Sequence, residues 1–205
     1  QGMVVWDTQN EPFYLSDEQQ MDVYHQVANL LTRAYDPEST RQIYPWHHAA
    51  GDFIVRCRDG RVEVRLVTVR HYGPLLKMDA SPNDSTHQSE QALAALLLFL
   101  IGLSIRMRLD RFDGVGDMAW AQDVAVPATV QGFFKGLALQ LAARDLPQEV
   151  ALHFRNYLKM HSKDDLLEAL TAVATRFDPA MPGIDLVTDR LALHAVTLRA
   201  VLDRL

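Results

Sequence analysis

Only one cysteine, Cys57, occurs in the 205 residues, so no disulfide can form within the chain, and the sequence fits a reducing, cytoplasmic compartment. Cys57 sits in a strand-like run between arginines. It reads as a packed thiol, since free cysteine behaves as a small hydrophobe and no activating base stands near it in sequence. Runs of five like charges are absent, and the formal net charge is −6. That balance argues against nucleic acid or an anionic membrane as a partner. No apolar run free of charged residues reaches the roughly 20 residues that a bilayer span requires. The most apolar run, Gln91 to Ile105, is closed by Glu90 and Arg106, and a buried helix is expected there. The first residues lack the basic-then-apolar pattern of a secretory leader. Gln1-Gly2 ahead of Met3 resembles a protease-site remnant and is set aside. Gly-x-Ser-x-Gly, His-Glu-x-x-His, paired zinc cysteines and the dinucleotide fingerprint are also missing. Gly114-Val115-Gly116 lacks the lysine and the preceding strand of a phosphate loop.

The residues present are those of an ordinary globular chain, 48% hydrophobic and 22% charged, and a chain of this length buries a core without staples. Its length favours one domain, taken as 3–205, with a helix-plus-hairpin part to residue 88 and a helical part from 89. Ser16 with Gln19 three residues on forms a capping box that starts a helix. Met21, Tyr24, Val27, Leu31 and Ala34 give that helix an apolar face, and Asp36-Pro37 closes it. A short strand is expected at Met3 to Trp6. Phe53–Cys57 and Val62–Val69 read as strands joined at Arg58-Asp59-Gly60-Arg61, where Asp-Gly signals a tight hairpin. Gly73-Pro74 ends the second strand, and the polar stretch Met78–Glu90 reads as a mobile loop. Five or so helices follow: Ser89–Leu109, Pro127–Ala143, Pro147–His161, a helix capped by Ser162 and reaching Phe177, and one opening at Thr188. Phe133, Phe134 and Leu137 are expected in the core. The fold class is therefore α+β, an N-terminal helix and β-hairpin packed on a mainly helical C-terminal bundle.

The segment Ile43–Tyr72 holds the chemistry. His47, His48, Asp52 and His71 fall around one end of the expected hairpin. Imidazole and carboxylate are ligands for Mg, Mn or Zn, so Asp52 with His48 is the candidate cation site. Hydrogen-bonded structural histidines are the competing reading. Arg70 beside His71 adds a cation to the same end. In Arg106–Asp117, Arg106, Asp110 and Asp113 have the spacing to pair along a helix face. Arg108 and Arg111 on another face offer an anion site, weighed against a solvated helix end with weak local ion pairs. Trp46, next to His47, and Trp120 are candidate pocket walls or partly buried core residues.

In order and spacing, "PWHHAAGDFIV", "RCRDGRV" and "RLVTVR" after the helix Ser16–Ala34 resemble the aminoglycoside-phosphotransferase and choline-kinase-like family. That family has a helix, a catalytic loop His-Gly-Asp-x-x-x-x-Asn, a hairpin and a magnesium-binding aspartate. Gly51-Asp52-Phe53-Ile54-Val55 resembles its Gly-Asn followed by three apolar residues, and the likeness spans Asp17 to Leu109. In this register His47 replaces the catalytic aspartate, Asp52 the metal-binding asparagine and Thr68 the second metal-binding aspartate. The nucleotide lobe has no counterpart before residue 43. The resemblance therefore implies a degenerate, kinase C-lobe-like scaffold, with Asp52 as a cation ligand and His47 as a base near neutral pH.

Three readings follow. The first is a non-catalytic or weakly catalytic binding protein for a small polar ligand or a protein partner, with ligand contacts from Trp46, His48, Arg70, His71, Arg108 and Arg111. The second is a divalent-metal enzyme that uses the cluster His47, His48, Asp52 and His71, with His47 and Asp52 as catalytic groups. The third is an obligate subunit whose apolar helix faces pack on another chain, a second copy included.

Overall fold

The computed structural model describes residues 2–6, 11–49, 51–76, 85–111 and 116–205, with side chains of 85–87 excepted. The fold is α+β, as expected. Strands β1 (Val4–Val5) and β2 (Phe13–Tyr14) pair antiparallel ahead of helix α1 (Asp17–Ala34). Strand β3 (Arg41–Ile43) follows, then β4 (Phe53–Arg58), β5 (Arg61–Leu66) and β6 (Tyr72–Pro74). Helix α2 (Ser85–Arg108) leads into β7 (Leu109–Arg111) and β8 (Met118–Trp120). The remainder is helical: α3 (Ala125–Ala143), α4 (Glu149–Met160), α5 (Lys163–Ala174) and α6 (Ile184–Leu202). The described strands form four antiparallel pairs, β1–β2, β3–β6, β4–β5 and β7–β8.

Local chemistry explains where most elements begin and turn. Ser16 accepts from the Gln19 amide while Gln19 reaches back to the Ser16 amide, so the expected capping box opens α1. Ser162 and Asp165 do the same for α5. The β4–β5 turn places Asp59 at φ 51° and Gly60 at φ 75°, the left-handed pair that a two-residue Asp-Gly hairpin needs. Its register sets Arg58 opposite Arg61 and Phe53 opposite Leu66. Gln26 of α1 clamps this hairpin. Its amide donates to the Val62 carbonyl at 2.8 Å and accepts from the Val64 amide at 3.0 Å.

Helix α2 is long and apolar enough, by length and composition, to cross a bilayer, but most of its apolar window is buried inside the fold. Leu100, Ile101, Ile105 and Met107 are fully enclosed, and each such side chain contributes about 1.5–3 kcal/mol through removal from water. It packs on α3, α4 and α5. Helix α3 lies tightly along α1. A Cβ at Gly136 would stand 2.8 Å from the Asn29 carbonyl and from Thr32 Cβ, and one at Gly132 would overlap the His25 carbonyl. Phe133 and Leu137 are buried there as expected, with Phe134 beside them.

Three expectations change. Helix α2 stops at Arg108, and the chain continues as β7, paired with β8, so Asp110 lies on a strand rather than a solvated helix end. Helix α6 begins after Gly183, at φ 85°, and Thr188 lies inside it, donating to the Ile184 carbonyl. Gly73-Pro74 does not end pairing: Tyr72–Pro74 forms β6 against β3, with Pro74 at its end opposite Arg41. Cys57 is half-buried, and burial raises its thiol pKa, which keeps it protonated. Of the expected mobile segment, residues 85–90 belong to α2, while 78–84 lie outside the described residues.

Candidate functional site

The loop between β3 and β4 is built around Asp52. The carboxylate is 2% exposed; Oδ2 accepts the His47 backbone N–H at 2.9 Å, and Oδ1 accepts Arg70 Nε at 2.9 Å. The Asp52 carbonyl accepts the Val67 and Thr68 amides at 2.9 and 3.3 Å. Gly51 supplies the left-handed turn, φ 78°, that lets the chain reverse before Asp52. One side chain thus fastens the loop start, the hairpin start and the segment after β5.

His47 and His48 lie within this loop with their rings stacked, centroids 5.2 Å apart and planes at 15°. His47 Nδ1 accepts the Ala49 amide at 3.0 Å, which assigns the proton to Nε2. That Nε2 has no hydrogen-bond partner among the described residues. His48 is 8% exposed, and among the described residues neither ring nitrogen has a partner. Its ring meets Tyr24 of α1 edge-on at 5.6 Å. Burial lowers the His48 pKa to about 4. Burial and then the His48 neighbour lower His47 to about 3, with Arg111 and Arg106 adding to the effect and Asp110 opposing it. Both rings are neutral at pH 7.

A cavity of about 340 Å³ opens beside His48. Met3, Val5, Val23, Val27 and Phe53 give it apolar walls, and His48 and Asp110 are its ionisable groups. Asp110 is 9% exposed and accepts the Arg111 backbone N–H at 2.8 Å through Oδ1. Burial raises its pKa, with the Arg111 hydrogen bond and His47 pulling the other way. Burial and then the Asp110 charge hold the neighbouring Tyr24 phenol protonated, Arg108 opposing. An apolar cavity with a few convergent polar groups of perturbed pKa has the composition of a small-molecule site. Neutral His48 offers one donor and one acceptor there, and its two tautomers suit different ligand heads.

The expected site residues separate into groups. His47 and His48 come together, and Arg111 lies near enough for its charge to act on His47. Arg111 itself donates to the Gly116 carbonyl. The expected cation site at Asp52 and His48 is not assembled. The Asp52 oxygens are held by an amide and by Arg70, and among the described residues no group of three or more His, Cys, Asp or Glu is placed to hold a metal ion. His71 is exposed and lies against Gly73 on β6, and Arg70 serves Asp52. Arg108 is not an open anion site. It is buried, pairs with Asp123 at 2.7 Å and lies over the Trp120 ring at 5.1 Å. Arg106 turns away from the expected helix-face pairing and donates to the Tyr44 hydroxyl at 2.6 Å; Asp113 lies outside the described residues. Trp46 is buried against Phe53 and lines a second cleft.

Sequence reasoning missed Asp110 as a site residue and His194 altogether. The Asp113-Gly114 pair was an available hairpin signal for the first. For the second, Leu191, Ala195 and Leu198 recur at helical spacing and put His194 on the buried face of α6. There His194 Nε2 meets Ser104 Oγ at 3.0 Å, and burial lowers its pKa to about 3. No family model, curated protein or solved structure matches this chain.

Proposed function

We propose that this chain is a binding protein for a small organic molecule with an apolar body and an uncharged hydrogen-bonding head. The head meets His48 and Asp110, and the body lies on Met3, Val5, Val23, Val27 and Phe53. The observation that carries this reading is His48: a nearly enclosed side chain on the wall of a cavity, with both ring nitrogens unpartnered among the described residues. A buried polar group without a partner costs about 1–3 kcal/mol, and a ligand head that hydrogen-bonds to it recovers that cost. The test uses C4–C8 alcohols, primary amides and amines as probes. Histidine ¹⁵N NMR follows the His48 ring during titration, with His48→Phe as control. Saturable movement of the His48 nitrogens by a neutral probe, lost in H48F, is expected. A flat titration with every probe, or equal binding to H48F, ends this reading.

A second reading, a degenerate phosphotransferase-like lobe, is supported by the order of α1, loop and β4–β5 hairpin. It is also supported by hydrogen bonds linking positions 47, 52 and 68 through Asp52. With Asp52 bound to Arg70, this lobe has no free carboxylate at that point for magnesium. Thermal shift with ATP and magnesium tests it, and an unmoved midpoint counts against it.

A further inference from the structure

Arg106 is a buried cation without a carboxylate. It projects from the last turns of α2, is 7% exposed and forms no ion pair among the described residues. Its guanidinium carbon lies 4.4 Å from the Tyr44 ring centre and 4.6 Å from that of Phe177. One terminal nitrogen donates to the Tyr44 hydroxyl at 2.6 Å, and the other reaches the Trp46 carbonyl at 3.5 Å. Nε–H is buried with no partner among the described residues. An isolated buried charge is expensive, and proteins normally pair it.

A cleft of about 180 Å³ adjoins this side chain. Leu98, Leu103, Val173 and Phe177 line it with apolar surface, and exposed Arg176 adds a second cation. Gly102 also lines it. A glycine in mid-helix is less favourable than alanine. At Gly132 and Gly136 the close approach of α1 explains that cost. At Gly102 nothing does: an added Cβ would meet only Val173 Cγ1, at 3.7 Å, an ordinary contact. What the missing side chain provides is room in the cleft.

We infer that this cleft binds a small organic monocarboxylate, its carboxylate on Arg106 Nε–H with Arg176 beside it, and its apolar tail in the space above Gly102. The class follows from the lining. The cation selects an anion, the planar guanidinium edge suits a carboxylate, and the aliphatic and aromatic walls select a tail. The site is separate from the His48 cavity, and the two lining sets share no residue.

Hexanoate is the probe, with binding followed by calorimetry and by the Arg106 Nε–H cross-peak. The expected result is saturable binding with a downfield shift of that proton. Arg106→Met keeps the side-chain length without charge and relieves an unpaired buried cation, so it folds. Gly102→Leu fills the cleft and leaves Arg106 in place. Both are expected to weaken hexanoate at least tenfold, and Arg176→Ala several-fold. Absence of saturable binding to the wild type overturns the assignment, as does undiminished binding to both R106M and G102L. Hexanol binding as tightly as hexanoate would refute selection by charge. Inorganic phosphate binding as tightly would refute any part for the apolar walls.

Discussion

Asp52 holds the backbone N–H of His47 at 2.9 Å, closing the loop that carries both histidines. The same carboxylate takes Arg70, and its residue's carbonyl takes two further amides, so Asp52 organises this corner of the fold rather than facing a ligand. Its removal therefore reads out as stability. Asp52→Ala strips a charged acceptor from a buried amide, and a hydrogen bond to a charged group is worth about 1.5–3 kcal/mol. A loss of about 3 kcal/mol in urea unfolding is expected. Asp52→Asn keeps one acceptor oxygen for His47 and should lose about half as much. Arg70 is half-exposed, so Arg70→Ala, which leaves the His47 bond intact, should cost about 1 kcal/mol or less.

The buried histidines make stability depend on acid. His47, His48 and His194 have pKa values lowered by burial to about 3, 4 and 3, against 6.5 when exposed. A base with a lowered pKa in the folded state binds its proton more tightly when unfolded. Stability is then complete above pH 6.5 and falls as the pH drops toward the folded values. For His48, the interval from 6.5 to about 4 at about 1.4 kcal/mol per pH unit amounts to about 3 kcal/mol, fully lost by pH 4. Denaturant midpoints measured between pH 7 and pH 4 should fall steeply for the wild type. His48→Phe should flatten that slope by close to one proton.

How far the sequence announces this arrangement depends on the range of the interaction. The capping box at Ser16, the cap at Ser162 and the Asp59-Gly60 turn are local, set by residues within four positions, and each is found where the sequence places it. The service of Arg70 to Asp52 needs a partner that the chain delivers from the far side of the hairpin. Asp110 is the clearest case. Read locally, it belongs to a charged helix end. Its burial comes from β7 pairing with β8, for which Asp113-Gly114 is the local turn signal, and from lying beside the β3–β4 loop, a contact that no nearby residue encodes. Arg106 is similar, since Tyr44 and Phe177 that enclose it are distant in sequence.

Helical glycines divide into two kinds, and substitution should separate them. At Gly136 an added methyl would press on the Asn29 carbonyl and Thr32 at 2.8 Å, both on the neighbouring helix α1. Overpacking of a close helix contact costs about 1–3 kcal/mol and can cost more, so Gly136→Ala is expected to destabilise by at least about 2 kcal/mol. Gly102→Ala meets only ordinary contact and should stabilise the fold by up to about 1 kcal/mol through better helix propensity. Thermal melts of the two variants check both signs. A loss at position 102 would mean that the cleft space is part of the packing.

Asp110 gives the sharpest discrimination between a ligand group and a structural one. Burial raises its pKa, so the ionised form is disfavoured in the fold relative to the unfolded chain, and above the folded value the charge detracts from stability. Asp110→Asn removes that charge and retains an oxygen to accept the Arg111 amide. The variant should therefore be more stable than wild type at pH 7, by about 1 kcal/mol, a usual gain when a group kept for function is replaced. The gain should shrink as the pH falls and wild-type Asp110 protonates. The same substitution should weaken whichever neutral probe moves the His48 nitrogens, because the cavity loses one of its two ionisable groups. Stability up and binding down is the pattern of a residue retained for recognition. A less stable variant at pH 7 would instead make Asp110 part of the scaffold and leave His48 alone as the polar contact of the cavity.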